Sequence, residues 1–244
     1  MDKSLEGQRV VVVGGNSDMG LALCARLMRM CCEVLIVGRS REKLEAAREQ
    51  LREFGEPRLH QADVTREEEV RRLFEEAGAV DHLVCTAADI RGAYELLAQL
   101  ELDALDRAVR SKVVAPILLA KHGAHRMPAH GSITLTSGIA AYRPRPKGVA
   151  VAAINAALEG AVRAMAVELA PLRINAVSPG WVRTPIWNNV AGADSERLLA
   201  SMAERLPVGR VGTGDDIADA IVFLLGNGYT TGTVLHIEGG HRLV

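Results

Sequence analysis

The run Arg9-Val10-Val11-Val12-Val13 is apolar and β-branched and stops at Gly14-Gly15, the pattern of a strand buried on both faces. Similar short runs recur at 33–37, 58–62, 81–85, 131–136, 173–177 and 233–237. Between them the apolar positions switch to a helical period, over about 21–30, 41–54, 66–77, 102–127, 149–169, 194–205 and 215–225. Pro116 predicts a break or bend inside the 102–127 stretch, because proline removes a backbone donor and crowds the preceding turn. Regular alternation of strand and helix predicts an α/β fold, a doubly wound parallel sheet of about seven strands with helices on both faces. No Gly/Ser/Pro-rich linker or internal repeat divides residues 1–244, so a single domain is expected.

Composition narrows the partners more than the fold. With 48% hydrophobic and 24% charged residues the chain suits a globular protein with a sizeable core. A formal net charge of −1 gives no reason to expect nucleic acid or an anionic membrane. Met1-Asp2-Lys3-Ser4 leads directly towards the first strand without a cleavage site, and no run approaches the roughly 18 apolar residues of a membrane span. A cytoplasmic location is therefore expected. Cys24, Cys31, Cys32 and Cys85 lack CxxC spacing and read as buried, reduced thiols. His122 and His125 share a helical face but have no third ligand nearby, so no metal site is expected.

Ligands of such sheets bind beyond the carboxyl ends of the strands, which directs attention to 14–20, 38–40, 62–64, 86–90, 137–148 and 178–189. The first of these, Gly14-Gly15-Asn16-Ser17-Asp18-Met19-Gly20, follows the first strand directly. A tight glycine turn there lets a pyrophosphate reach a helix N-terminus. The segment resembles the TGxxxGxG turn of the short-chain dehydrogenase/reductase superfamily, with Val13 in place of the threonine and Asp18 in place of the middle glycine. The resemblance implies a Rossmann-like fold and an NADP(H) or NAD(H) site. Gly14, Asn16, Ser17 and Gly20 would form its phosphate turn. Asp63 and Val64 would meet the adenine, and Thr86 opens the segment after the fourth strand. Pro179, Gly180 and Thr184 match the family's PG…T segment, in which Thr184 would face the nicotinamide. Arg39, at the end of the second strand, suits a 2′-phosphate and so favours NADP(H). Against this, the Asp18 carboxylate would repel a diphosphate unless it turned to solvent or capped the helix.

The same resemblance locates a catalytic set that is absent. Family members transfer a hydride with the help of a tyrosine, a lysine, a serine and an asparagine, the tyrosine and lysine spaced YxxxK on one helical face. By spacing, the serine falls on Gly138, the tyrosine on Val151, the lysine on Asn155 and the asparagine on Lys112. Loss of a positioned general acid alone costs about 10²–10⁴ in rate, so ordinary ketone reduction is expected to be impaired. Candidate substitutes are Lys112, as proton donor or oxyanion ligand, Ser137, Asn155 and Tyr142. Pairing Tyr142 with Lys147 is opposed by Pro144 and Pro146 and by a spacing of five.

Trp181, Ile186 and Trp187 concentrate large side chains in one loop, and with Gly138 and Val151 they suggest a pocket for an apolar small molecule. A subunit contact is the alternative. A lid is expected at about 185–210. The C-terminal Glu238-Gly239-Gly240-His241 resembles the family's dimer-forming end, implying a homodimer or homotetramer. Three functions fit: a non-redox enzyme of cyclisation, isomerisation or dehydration, an NADP(H)-dependent oxidoreductase with a substitute proton donor, and a non-catalytic binding or regulatory subunit.

Overall fold

The computed structural model describes residues 5–184, 187 and 192–244. The strands are β1 (Arg9–Val13), β2 (Glu33–Gly38), β3 (Arg58–Gln61), β4 (His82–Cys85), β5 (Ser132–Thr136), β6 (Arg173–Pro179) and β7 (Val234–Ile237), most of them rich in β-branched residues, with the edge strand β3 the exception. They make one seven-stranded sheet in the order β3-β2-β1-β4-β5-β6-β7, with every pair parallel. The described helices are α1 (Asp18–Arg29), α2 (Arg41–Leu51), α3 (Glu67–Ala77), α4 (Leu102–Val109), α5 (Ala115–Gly123), α6 (Val149–Glu168), α7 (Ser195–Arg205) and α8 (Gly214–Gly226). Strand order reverses between β1 and β4, whose ends are held in register by the pairs Val13–Val37 and Val13–Cys85. This switch point opens the crevice in which such sheets bind ligands.

The alternation within β1 shows how both faces are covered. Val11 and Val13 pack with Leu73 of α3, Leu119 of α5 and Leu158 of α6. Val10 and Val12 pack on the other side with Leu27 of α1, Leu44 of α2 and Ile221 of α8. Burying each such side chain contributes on the order of 1.5 kcal/mol or more, so a two-faced strand of valines is a strong anchor for the turn that follows it. Thr213 and Asp216 form a reciprocal cap that fixes the start of α8.

Three expectations are corrected here. The irregularity near Pro116 lies before the proline, as a π-helical turn over Arg110–Val114, and Pro116 stands in the first turn of α5. The acceptor that an α-helical residue 116 would use is the carbonyl of Lys112, which proline can neither bond nor approach closely. The widened turn is therefore set by Pro116, and it carries Lys112. Second, α6 is long and apolar enough to cross a membrane by length and composition, although no simple apolar run announces it. It packs against the sheet, with Leu158 and Val162 in the core and Asn155 and Glu159 buried. Third, Cys31 is exposed, whereas Cys24, Cys32 and Cys85 are buried free thiols.

Candidate active site

The glycine turn after β1 is closed so tightly that side chains are excluded from it. A Cβ at Gly20 would lie 2.1 Å from the Gly14 carbonyl oxygen, and one at Gly14, whose φ is +85°, would lie 2.8 Å from Thr86 Oγ1. Thr86 Oγ1 in turn donates to the Val13 carbonyl at 3.2 Å. Asn16 lays its amide over Gly38, and Ser17 caps α1 through its backbone without a side-chain bond. Asp18 occupies the left-handed region at φ 51°. The residue as a whole is exposed, but its carboxyl is not fully released to solvent. Partial burial raises its pKa, opposed by Lys43.

The other cofactor candidates lie along the same crevice with their polar groups partly engaged. Arg39 Nη1 reaches Asp89 Oδ2 at 3.2 Å, and Arg91 grips the same carboxylate through two bonds of 2.8 and 2.7 Å. Those guanidinium bonds hold the Asp89 pKa down to about 2. Arg39 itself remains 56% exposed, so a single long ion pair is all that would compete with a phosphate. Asp63 Oδ1 accepts from the backbone N–H and hydroxyl of Thr65, and Val64 is buried in the core. The glycine cradle and the exposed Arg39 fit a dinucleotide phosphate. The Asp18 carboxylate is the one feature set against it.

A cavity of about 400 Å³ opens beside this crevice. Thr86, Pro179, Gly180 and Thr184 line it together with Gly138, Val151, Asn155, Trp181 and Trp187. Ile186 lies outside the described residues. All four altered slots of the catalytic set, Lys112 included, line this cavity, and two of them depend on each other. A Cβ at Gly138 would stand 2.9 Å from Asn155 Nδ2, so the asparagine amide takes the space that a serine side chain would need. Asn155 Oδ1 is buried and has no hydrogen-bond partner among the described residues. Val151 packs with Ala93, Ala108 and Ile154 and presents an apolar surface where a phenol would otherwise stand.

Lys112 reaches the cavity wall from the π-turn and is buried, which excludes a lysine extended into solvent. Its ammonium donates to the carbonyl oxygens of Thr136 and, at 3.2 Å, Ser137. Burial lowers its pKa to about 8. Two of its three donors are thus taken by the end of β5, which leaves one hydrogen for a ligand.

Tyr142 and Ser137 are corrected as substitute acids. Both hydroxyls donate to the buried Glu159 at 2.6 Å, Ser137 to Oε1 and Tyr142 to Oε2. Tyr142 sets its ring edge against His236, with centroids 4.5 Å apart, and does not line the cavity. Burial and the Glu159 carboxylate push its pKa up to about 12, so it is a weaker acid than a free phenol.

Sequence reasoning missed Glu159 and His241. Glu159 lies one helical turn beyond Asn155, a spacing that could have drawn attention to it. His241 is carried back to the cavity by Gly239 and Gly240, both at positive φ, and no local pattern announces that return. It is buried, sets its ring edge on Trp181 at 6.3 Å, and its Nδ1 has no hydrogen-bond partner among the described residues. Burial, with Arg143 nearby, lowers its pKa. The two indoles stack in parallel, 4.2 Å apart, while Trp187 Nε1 donates to the Val182 carbonyl at 2.7 Å. Leu198 of α7 also lines the cavity, and Leu199 and Met202 back Trp181.

The family model described as Enoyl-(Acyl carrier protein) reductase matches residues 13–242. The chain is 30% identical over 254 residues to the short-chain dehydrogenase/reductase ucsE of an Acremonium species, covering 97% of this chain and 96% of that protein. Among solved structures it superposes on the MalC reductase/Diels-Alderase of Malbranchea aurantiaca with a TM-score of 0.92 at 29% identity, covering 99% of each chain. A small-chain dehydrogenase in complex with NADPH gives a TM-score of 0.85 at 33% identity, covering 98% of this chain and 100% of that one.

Proposed function

Because the chain belongs to the short-chain dehydrogenase/reductase superfamily yet holds Val151, Asn155, Gly138 and Lys112 in the four catalytic slots, we propose that it is an atypical enzyme of that family. It transforms an apolar small molecule without the usual tyrosine-driven reduction. The favoured reaction is non-redox, a cyclisation, isomerisation or dehydration.

The observation that carries this reading is the cavity wall itself. Val151 gives it an apolar surface, the indole stack gives a flat aromatic one, and the polar groups are few. Reactions limited by substrate conformation need shape and a small number of fixed donors, and orientation alone can lower barriers by several kcal/mol. Lys112 offers one hydrogen from a position fixed by two carbonyls, which suits polarisation of a substrate carbonyl oxygen. Asn155 presents its amide beside Gly138, and His241 adds an imidazole to the lining whose burial favours the neutral form. The Malbranchea relative, a reductase/Diels-Alderase, supports the idea that this scaffold accommodates ring-forming chemistry. The lid expected at about 185–210 lies partly outside the described residues; we assign α7, which brings Leu198 to the cavity lining, to it.

An NADP(H)-dependent reaction is the second reading, favoured by the glycine cradle, the exposed Arg39 and the NADPH complex of a relative. Bound there, the dinucleotide would supply or accept a hydride, and Gly14, Gly20, Arg39, Pro179, Gly180 and Thr184 would hold it. In that case Lys112 supplies the proton. Calorimetric titration with NADPH, paired with turnover assays on apolar ketones, separates the readings. Weak or absent binding without turnover supports the first, and steady NADPH consumption at rates ordinary for enzymes, about 10 per second, overturns it.

A further inference from the structure

Charge is spread unevenly around the cavity. The whole chain is nearly balanced, with 29 Lys and Arg against 30 Asp and Glu. The cavity is lined by Lys112, Arg143, Arg145, Lys147 and His241, and among the described residues no Asp or Glu lines it. Most of these cations have partners. Lys112 is bonded to carbonyls, Lys147 pairs with Glu95 at 3.2 Å, and Arg143 donates to the Val244 backbone oxygen. Arg145 differs: its guanidinium lies over the Trp181 ring, 5.0 Å from the centroid. No acidic partner meets it among the described residues.

A guanidinium held against an indole is oriented before any ligand arrives, and its donor fork stays open for a planar oxyanion. Residues 143–147 belong to the connection between β5 and α6, not to the β1–α1 turn or the end of β2, where the phosphates of a dinucleotide would go. Resting on the reading of this cavity as a site of small-molecule chemistry, we propose that the substrate carries an anionic group, a carboxylate or a phosphate. Its apolar body lies against Trp181, Trp187 and Val151, and its anion is met by Arg145 with Arg143 beside it. The anion orients the substrate at the mouth of the cavity, which leaves its reacting part towards Lys112 and Asn155.

The chain has two tryptophans, and both line the cavity, so intrinsic indole fluorescence reads its occupancy directly. The full chain is titrated with para-tert-butylbenzoate, para-tert-butylphenyl phosphate and the neutral para-tert-butylbenzamide. At least one anion is expected to bind about tenfold more tightly than the amide, a difference of about 1.4 kcal/mol, and the tighter of the two identifies the oxyanion. Arg145→Ala should remove most of that preference and Arg145→Lys should restore part of it, with a urea unfolding midpoint like that of the wild type showing that the fold is intact. Equal binding of amide and anions overturns the proposal. So does an anion preference that survives the Arg143→Ala/Arg145→Ala double variant. If none of the three probes binds, the assignment of the cavity to small-molecule chemistry fails as well.

Discussion

At the scale of single residues, Lys112 is the most informative position. It replaces a neutral amide with a long cation, yet the fold buries it and satisfies it with the carbonyls of Thr136 and Ser137. Lys112→Met leaves those carbonyls short of a donor and should cost about 1–3 kcal/mol in urea unfolding. Burial holds the Lys112 pKa at about 8 against an ordinary 10.5. Between these values the unfolded chain binds a proton that the folded chain has released, so the contribution of this lysine to stability rises with pH across that window. The stability of the wild type relative to Lys112→Met should therefore increase from about pH 8 to 10.5; a flat or falling difference contradicts a desolvated ammonium. Gly138, Val151, Asn155 and Lys112 were legible through the resemblance, whose catalytic spacing falls on them once the strand end and the helix are placed. The sequence did not reveal that Ser137 and Tyr142 would both turn to Glu159, since that depends on a buried carboxylate seeking donors in three dimensions. Nor did it reveal His241, which reaches the cavity only through a glycine bend more than fifty residues after Trp181 and Trp187.

At the scale of elements, inner strands such as β1 and β2 were readable because a parallel sheet covered on both faces favours apolar runs, whereas β3, Arg58-Leu59-His60-Gln61 at the sheet edge, carries no such run. The π-turn was not readable, because the cause, Pro116, sits downstream of its effect at Arg110–Val114. The β1–α1 turn lies between these cases. Its glycines were plain, and the close approach of Gly20 to Gly14 accounts for them. The behaviour of Asp18 depended on a backbone angle, φ 51°, that only the fold discloses. A side chain in that region is strained relative to glycine. Asp18→Gly should thus stabilise the chain by about 0.5–1 kcal/mol. The same change removes a carboxylate from the phosphate turn and should tighten NADPH binding about tenfold by calorimetry. Unchanged affinity would show that Asp18 leaves the turn as competent as one with glycine.

At the scale of the whole molecule, the switch point of the sheet brings a dinucleotide-shaped crevice and an aromatic, cationic cavity side by side. Where the resemblance places the family's four catalytic side chains, this chain has Val151, Lys112, Asn155 and a Gly138 whose side-chain space the Asn155 amide fills. The central claim is that the cavity shapes a substrate and does not reduce it efficiently. The most direct measurement is deuterium transfer: the chain is incubated with NADPH carrying deuterium at the reactive nicotinamide carbon and a panel of apolar ketones bearing a carboxylate, and the products are analysed by mass spectrometry. The account predicts no incorporation beyond the uncatalysed background. Catalytic incorporation of deuterium into an alcohol product, over many turnovers, would contradict it.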